Sequence, residues 1–218
     1  MKIIKFYIFL VLIFPYTLLK AQNNEIIFSV GGTLSTVRFD DSAAQAAVSP
    51  HLKPKAGYLV SAIWEHYFAP ILSLRTSMDY IQKGFAYSYP YKQGYKTFNY
   101  LTLSVAGNLV LYRAPIMEIS ASVAPFTGYW ISGFKFEADY RGNALYAKKI
   151  IFSDSTYSYN RWDAGVAAGL HLKYWQSSSQ AITLDIGLKY SAVSNDRKNV
   201  AGTKNRCFYI RMGYLWSL

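Results

Sequence analysis

The chain has 218 residues, 52% of them hydrophobic and 17% aromatic, with 23 Lys and Arg against 12 Asp and Glu. Its one cysteine, Cys207, excludes an internal disulfide framework, and His51, His66 and His171 lack the spacing of a metal site. The length suits a single all-β unit.

In chain order, "MKIIKFYIFLVLIFPYTLLKAQ" reads first as a secretory signal. Lys2 and Lys5 form a basic start, an apolar run covers Phe6 to Leu19, and Ala21 precedes Gln22 at a cleavage point. The apolar core contains Pro15 and falls short of the roughly 20 residues that span a bilayer. The expected organisation is therefore a signal peptide over 1–21 and one domain over 22–218. Export argues against nucleic acid as the reason for the basic balance.

Eight alternating segments follow, bounded by turn-formers: Glu25–Thr36, Ala56–Phe68, Ile71–Gln82, Thr97–Tyr112, Ile116–Ser132, Trp162–Trp175, Ala181–Ser191 and Cys207–Trp216. No segment reads as a helix. Ala69-Pro70, Arg113-Ala114-Pro115 and Gln176–Gln180 are tight connections. Val37–Lys55, Lys83–Lys96, Gly133–Arg161 and Ala192–Arg206 are long ones. An even strand number with short turns at one end and long loops at the other predicts an eight-stranded antiparallel up-and-down transmembrane β-barrel. Both mature termini and the short turns then face the periplasm.

Alternation sorts the faces. Trp162, Ala164, Val166, Ala168, Leu170, Leu172 and Tyr174 oppose Asp163, Gly165, Ala167, Gly169, His171 and Lys173. Ile182, Leu184, Ile186, Leu188 and Tyr190 oppose Thr183, Asp185, Gly187 and Lys189. A soluble eight-stranded barrel has the same period turned inside out. Three features favour the membrane form. The first is that the second face mixes small residues with charges of both signs, as a filled polar lumen requires. Next, Trp162 and Tyr174 lie twelve residues apart on the oily face, about 30 Å along the barrel normal at about 3.3 Å per residue and about 40° tilt. With Tyr190 and Trp216 they form the expected aromatic girdle.

The third feature is the end of the chain. Phe208, Ile210, Met212, Tyr214, Trp216 and Leu218 share an oily face that would be an aggregation hazard in water. Arg211, Gly213, Trp216 and Leu218 fall at the polar, glycine, aromatic and apolar places of a pattern resembling the terminal signal of bacterial barrel proteins. That resemblance implies recognition by the barrel insertion machinery during assembly.

The mature chain as a whole resembles the PorT-like outer-membrane β-barrel proteins of Bacteroidetes. The likeness rests on "GGTLST", "KPKAGYLVSAIWEHYF", "LSLRTSMDYIQKG", "NYLTLSVAGN", "DAGVAAGLHLKY", "DIGLKY" and "FYIRMGYLW", and covers most of residues 25–218. It implies architecture and outer-membrane location, and carries no activity.

Without Lys2, Lys5 and Lys20, the four long loops hold 15 Lys and Arg against 6 Asp and Glu, and the rest of the chain 5 against 6. Basic loop roots, Lys83, Lys92, Lys96, Lys148, Lys149, Arg161, Arg197, Lys198, Lys204 and Arg206 among them, are expected to meet solvent or lipopolysaccharide phosphates. Arg75, Asp79, Glu118, Asp163, Lys173, Asp185, Lys189 and Arg211 are expected in the lumen, paired or hydrated, as a structural plug.

The Tyr-, Ser- and Asn-rich "SDSTYSYN" (Ser153–Asn160) suits adaptable contacts with a protein partner in the envelope. No cofactor or metal is expected. The leading expectation is a non-enzymatic envelope barrel. The alternatives are a narrow pore or an enzyme acting on lipid A or peptide. For an enzyme, Asp163 and Asp185 are the expected partners of His171, but no serine motif marks a nucleophile.

Overall fold

The computed structural model describes residues 24–150, 160–194 and 202–218. The expected signal peptide, Arg197, Lys198 and all but the last residue of "SDSTYSYN" lie outside the described residues. Nine strands are present among them: β1 (Asn24–Phe39), β2 (Leu52–Ala69), β3 (Leu72–Ser88), β4 (Lys92–Ala114), β5 (Met117–Asp139), β6 (Ala144–Lys149), β7 (Trp162–Trp175), β8 (Gln180–Ser191) and β9 (Thr203–Ser217).

Eight of these strands close a ring in the order β1-β2-β3-β4-β5-β7-β8-β9, every pair antiparallel. The seam runs from Glu25 opposite Ser217 to Phe39 opposite Thr203. Closure leaves no exposed edge in the ring, the condition for strands to cross a bilayer. Beyond the strand ends, Leu218 N–H donates to the Asn24 carbonyl (2.8 Å), so the last residue is tied down. Tight connections fall at Pro70-Ile71, at Pro115-Ile116 and at Gln176–Ser179; in the first two, proline's fixed φ and missing N–H cost the ladder nothing.

Burial is inverted relative to a soluble domain. Val30, Met78, Val123, Leu170 and Met212 are all more than half exposed, while Asp79, Asp163 and Asp185 are fully buried. Apolar area left open along every strand is stable only against lipid.

Three expectations are corrected. Firstly, the long connections are partly strand. β3 and β4 continue to Ser88 and Lys92, and β5 to Asp139, so the ring rises well beyond the aromatic row of Tyr80, Tyr129 and Trp162. β6 pairs only with the upper part of β5 and is not a barrel strand. The turn between them is built by Asp139, whose carboxylate accepts from the Arg141 N–H (2.9 Å), the Asn143 N–H (2.8 Å) and Asn143 Nδ2 (2.9 Å). These donors, the Asn143 side chain first, hold that carboxyl below its ordinary range. Gly142 supplies the positive φ of 88° there.

Secondly, a short helix α1 (Ser42–Val48) stands in the first long connection. Asp41 caps it, accepting from the N–H groups of Ala43 (2.8 Å) and Ala44 (3.3 Å). It buries no residue, so it has no apolar periodicity to betray it.

Thirdly, Lys83 is not a loop cation. With β3 extended, it falls on the same face as Arg75, Asp79 and Ile81 and is 2% exposed.

The interior also has three apolar clusters that the alternating pattern did not separate from the polar ones, one of them Ala106, Ala124, Phe126 and Ala167. Ile27, Ile63, Ala181 and Leu215 pack with Trp175 toward the turn end. Leu59, Ile81, Phe98, Tyr100, Trp130, Cys207 and Tyr209 close the loop end, with Phe98 and Trp130 edge to face at 4.7 Å between centroids.

Candidate functional site: an ion-paired lumen

All eight residues expected in the lumen face inward, none more than 5% exposed. They form three groups along the axis. Nearest the turns, Lys173 Nζ reaches Glu25 (2.5 Å), Glu65 (3.1 Å) and Glu118 (3.2 Å), and also touches the Tyr67 hydroxyl. Arg113 grips Glu118 through Nε (2.8 Å) and Nη2 (2.5 Å), and Tyr67 donates to the same carboxylate (2.6 Å).

In the middle, Asp185 Oδ2 accepts from Arg75 (2.6 Å) and Arg211 (2.8 Å). Asp79 accepts from Lys189 (2.5 Å) and from Arg211 (3.1 Å), and Arg211 also donates to Ser61 (2.8 Å). Toward the loops, Lys83 meets Asp163 at 2.7 Å, between the rings of Tyr100 (5.1 Å) and Phe126 (4.9 Å).

Alternation from Asp79 to Lys83, and through Glu65 on β2, contained the signal for the residues the sequence reading omitted. Lys83 lies one residue beyond the expected end of the third segment at Gln82. Arg113 lies at the end of β4, past a register shift between Val110 and Tyr112 that interrupts the period. With these additions the buried interior holds Arg75, Lys83, Lys173, Lys189 and Arg211 against Glu25, Glu65, Asp79, Glu118, Asp163 and Asp185, and Arg113, whose side chain is 44% exposed at the turn end, supplies the sixth positive charge from the rim. Charges removed from water are tolerable only when matched in this way.

A Ser–His–Asp alignment is also present. Ser122 Oγ lies 2.7 Å from His171 Nε2, and His171 Nδ1 lies 2.9 Å from Asp185 Oδ1. Asp163 does not approach His171 in this arrangement; it belongs to Lys83. The adjoining cavity is about 20 Å³ and is walled by residues such as Ala124, Ala167 and Tyr209. That is room for about one water and none for an acyl substrate. Asp185 is also shared with two guanidinium groups, so this alignment fixes the imidazole more than it activates a nucleophile. Among the described residues no group of three or more His, Cys, Asp or Glu is placed to hold a metal.

On the outer wall, Trp162, Tyr174, Tyr190 and Trp216 all point outward, two toward each end of the ring. Trp162 packs on Tyr129 (5.2 Å) and Trp216 on Tyr214 (4.5 Å) and Phe28 (6.1 Å). At Gly213 a Cβ would lie 2.8 Å from the Phe28 carbonyl oxygen, from Ser29 Cβ and from Thr183 Oγ1, so the seam closes only around glycine.

A closed eight-stranded ring with an oily outer wall, aromatic belts and a charged interior defines a small outer-membrane β-barrel. Residues 20–196 match the family described as outer membrane protein beta-barrel domain, and the chain belongs to that family.

Among solved structures, OprG from Pseudomonas aeruginosa is 7% identical with a TM-score of 0.51, covering 89% of this chain and 95% of its own. Ail, the attachment invasion locus protein of Yersinia pestis, is 13% identical with a TM-score of 0.44, covering 89% and 99%. Neisserial surface protein A is 8% identical with a TM-score of 0.43, covering 89% and 97%. At these identities the likeness extends to the fold alone. No curated protein matches the chain.

Proposed function

We propose that this protein is a non-enzymatic, PorT-like barrel of the outer membrane with a structural or loop-mediated role in the cell envelope. Its lumen is a neutral plug, and its termini and tight turns face the periplasm. The observation that carries this reading is the segregation of charge. With Arg113 counted at the rim, the lumen is matched six against six, so the whole basic excess lies on the loops and their strand extensions. Lys92, Lys148 and Lys149 are exposed there, while Arg161 and Arg206 lie over the belt rings of Tyr129 (4.5 Å) and Tyr190 (5.1 Å). Cations at that height suit lipopolysaccharide phosphates. The strand ending at Trp216 and Leu218 suits recognition by the insertion machinery, and the loops suit a protein partner in the envelope.

The plug reading predicts no steady unitary conductance in planar bilayers; a reproducible open level would overturn it. Surface proteolysis of intact cells should cut the connection between β6 and β7 and spare the turn at Gln176–Ser179. A second reading, an enzyme on lipid A, has only the Ser122–His171–Asp185 alignment behind it, and that alignment has no room for an acyl chain. Lipid A that is unchanged between membranes with and without the protein would dispose of it.

A further inference from the structure

The two ends of the lumen differ. The loop end is closed by the aromatic cluster, whereas the turn end opens into a cup of about 990 Å³. Three turns wall it with Pro70, Pro115 and Trp175 on one part and the hydroxyls of Ser177, Ser178 and Ser217 on another. Its floor is charged, and the donors there are unevenly shared. Glu25 and Glu118 line it together with Arg113, and Lys173 lies beneath them, shared with Glu65. Glu65 also comes within 3.8 Å of Arg75, but Arg75 is committed to Asp185 at 2.6 Å. Glu25 is 5% exposed, lines the cup and gives one carboxylate oxygen to Lys173; its other oxygen has no hydrogen-bond partner among the described residues.

We infer that the cup is a docking site for a lysine or arginine side chain presented on a peptide segment of a periplasmic partner. One carboxylate oxygen of Glu25 faces the cup without a donor, and a cationic head beside it would supply one. The aliphatic stem of such a side chain fits a wall of proline and aromatic rings. The serine-lined wall offers hydrogen bonds to a peptide main chain that a free amine would leave unused. A volume of this order suits a few residues and no folded domain. The assignment of the partner to the periplasm rests on the orientation proposed above; the binding chemistry does not.

The test uses the purified full-length mature protein in lipid nanodiscs, where both ends are accessible. Fluorescence anisotropy follows a labelled, acetylated Gly-Ser-Lys-Ser-Gly amide, the same peptide with norleucine for lysine, and spermidine as competitor. The lysine peptide should bind, more weakly at high salt, with norleucine at least about tenfold weaker. Glu25→Gln should weaken binding about tenfold. Ser178→Lys, an exposed change on the turn, should weaken it severalfold while leaving heat-modifiable migration intact, so a folded variant is available even if Glu25→Gln fails to fold.

Equal binding of the norleucine peptide, or indifference to Ser178→Lys, would overturn the inference. Spermidine binding as tightly as the peptide would overturn it too, by reassigning the cup to free polyamines. Orientation is read separately by labelling Ser178→Cys in intact cells. Labelling from outside would reject the periplasmic assignment and leave the peptide result standing.

Discussion

Lys83 and Lys92 lie nine positions apart on either side of one hairpin, and they belong to different worlds. Lys83 is sealed in the ring against Asp163, with aromatic rings beside it; Lys92 is exposed at the start of β4. Within the ring, closure fixes which way every side chain points, and each inward charge must find a partner. In the extension above it the sheet has bulges, one of which leaves Ile131 unpaired where Asn99 faces Ser132 and Tyr100 faces Trp130. Such an extra residue reverses the face of everything beyond it. The same residue type is therefore structural in one region and a solvated surface in the other.

The largest expected effects break that contrast directly. Lys83→Met strands Asp163 without its cation and should cost about 3–5 kcal/mol, whereas Lys92→Met should fall within about 0.5 kcal/mol of the parent. Asp185→Ala leaves Arg75 and Arg211 buried without their shared acceptor and belongs with Lys83→Met. Urea unfolding in detergent, followed by tryptophan fluorescence, measures all three. Equal tolerance of Lys83→Met and Lys92→Met would show that the lumen is wet enough to hydrate a lone carboxylate.

Next in size is the lipid wall. Leu184 faces outward on β8 between Thr183 and Asp185, which face in. Leu184→Arg near mid-strand should cost about 2–4 kcal/mol and impair insertion, while Thr183→Ser should be mild. The same unfolding assay, with the folded fraction in membranes as a second readout, distinguishes the two sites. Similar effects at both would contradict the register of β8.

What was legible in the sequence follows the same division. In the ring, unbroken period-two alternation identified the inward residues Arg75, Asp79, Glu118, Asp163, Lys173, Asp185, Lys189 and Arg211, and their burial agrees with the pattern. Lys83 was misplaced because glycine and tyrosine after it resemble a loop, although the ladder continues through Gly84, opposite Thr97. The helix at Ser42–Val48 had no buried face to announce it. Pairings such as Arg75 with Asp185, 110 positions apart, depend on ring closure, which no local pattern encodes. The cup was illegible for a related reason: it is assembled from three turns and both strand ends of the seam.

The smallest expected effect concerns the terminal strand, where packing and recognition can be separated. Gly213 and Trp216 are three positions apart but face opposite media. A valine at Gly213 would drive its side chain into a seam where even Cβ finds atoms at 2.8 Å, so Gly213→Val should cost about 1–3 kcal/mol wherever the protein folds. Trp216 instead lies on the outer wall against Phe28 and Tyr214, and its loss leaves the β1–β9 and β8–β9 ladders unchanged. In detergent, Trp216→Ala should therefore refold nearly as the parent does, because micelle hydrocarbon covers the gap. In cells the same variant should insert more slowly, since the aromatic place of the proposed assembly signal is then empty. Pulse-chase conversion to the heat-modifiable form measures that rate. Parental insertion of Trp216→Ala would make the terminus a strand end with no role in recognition, while slow refolding in detergent as well would assign Trp216 to packing.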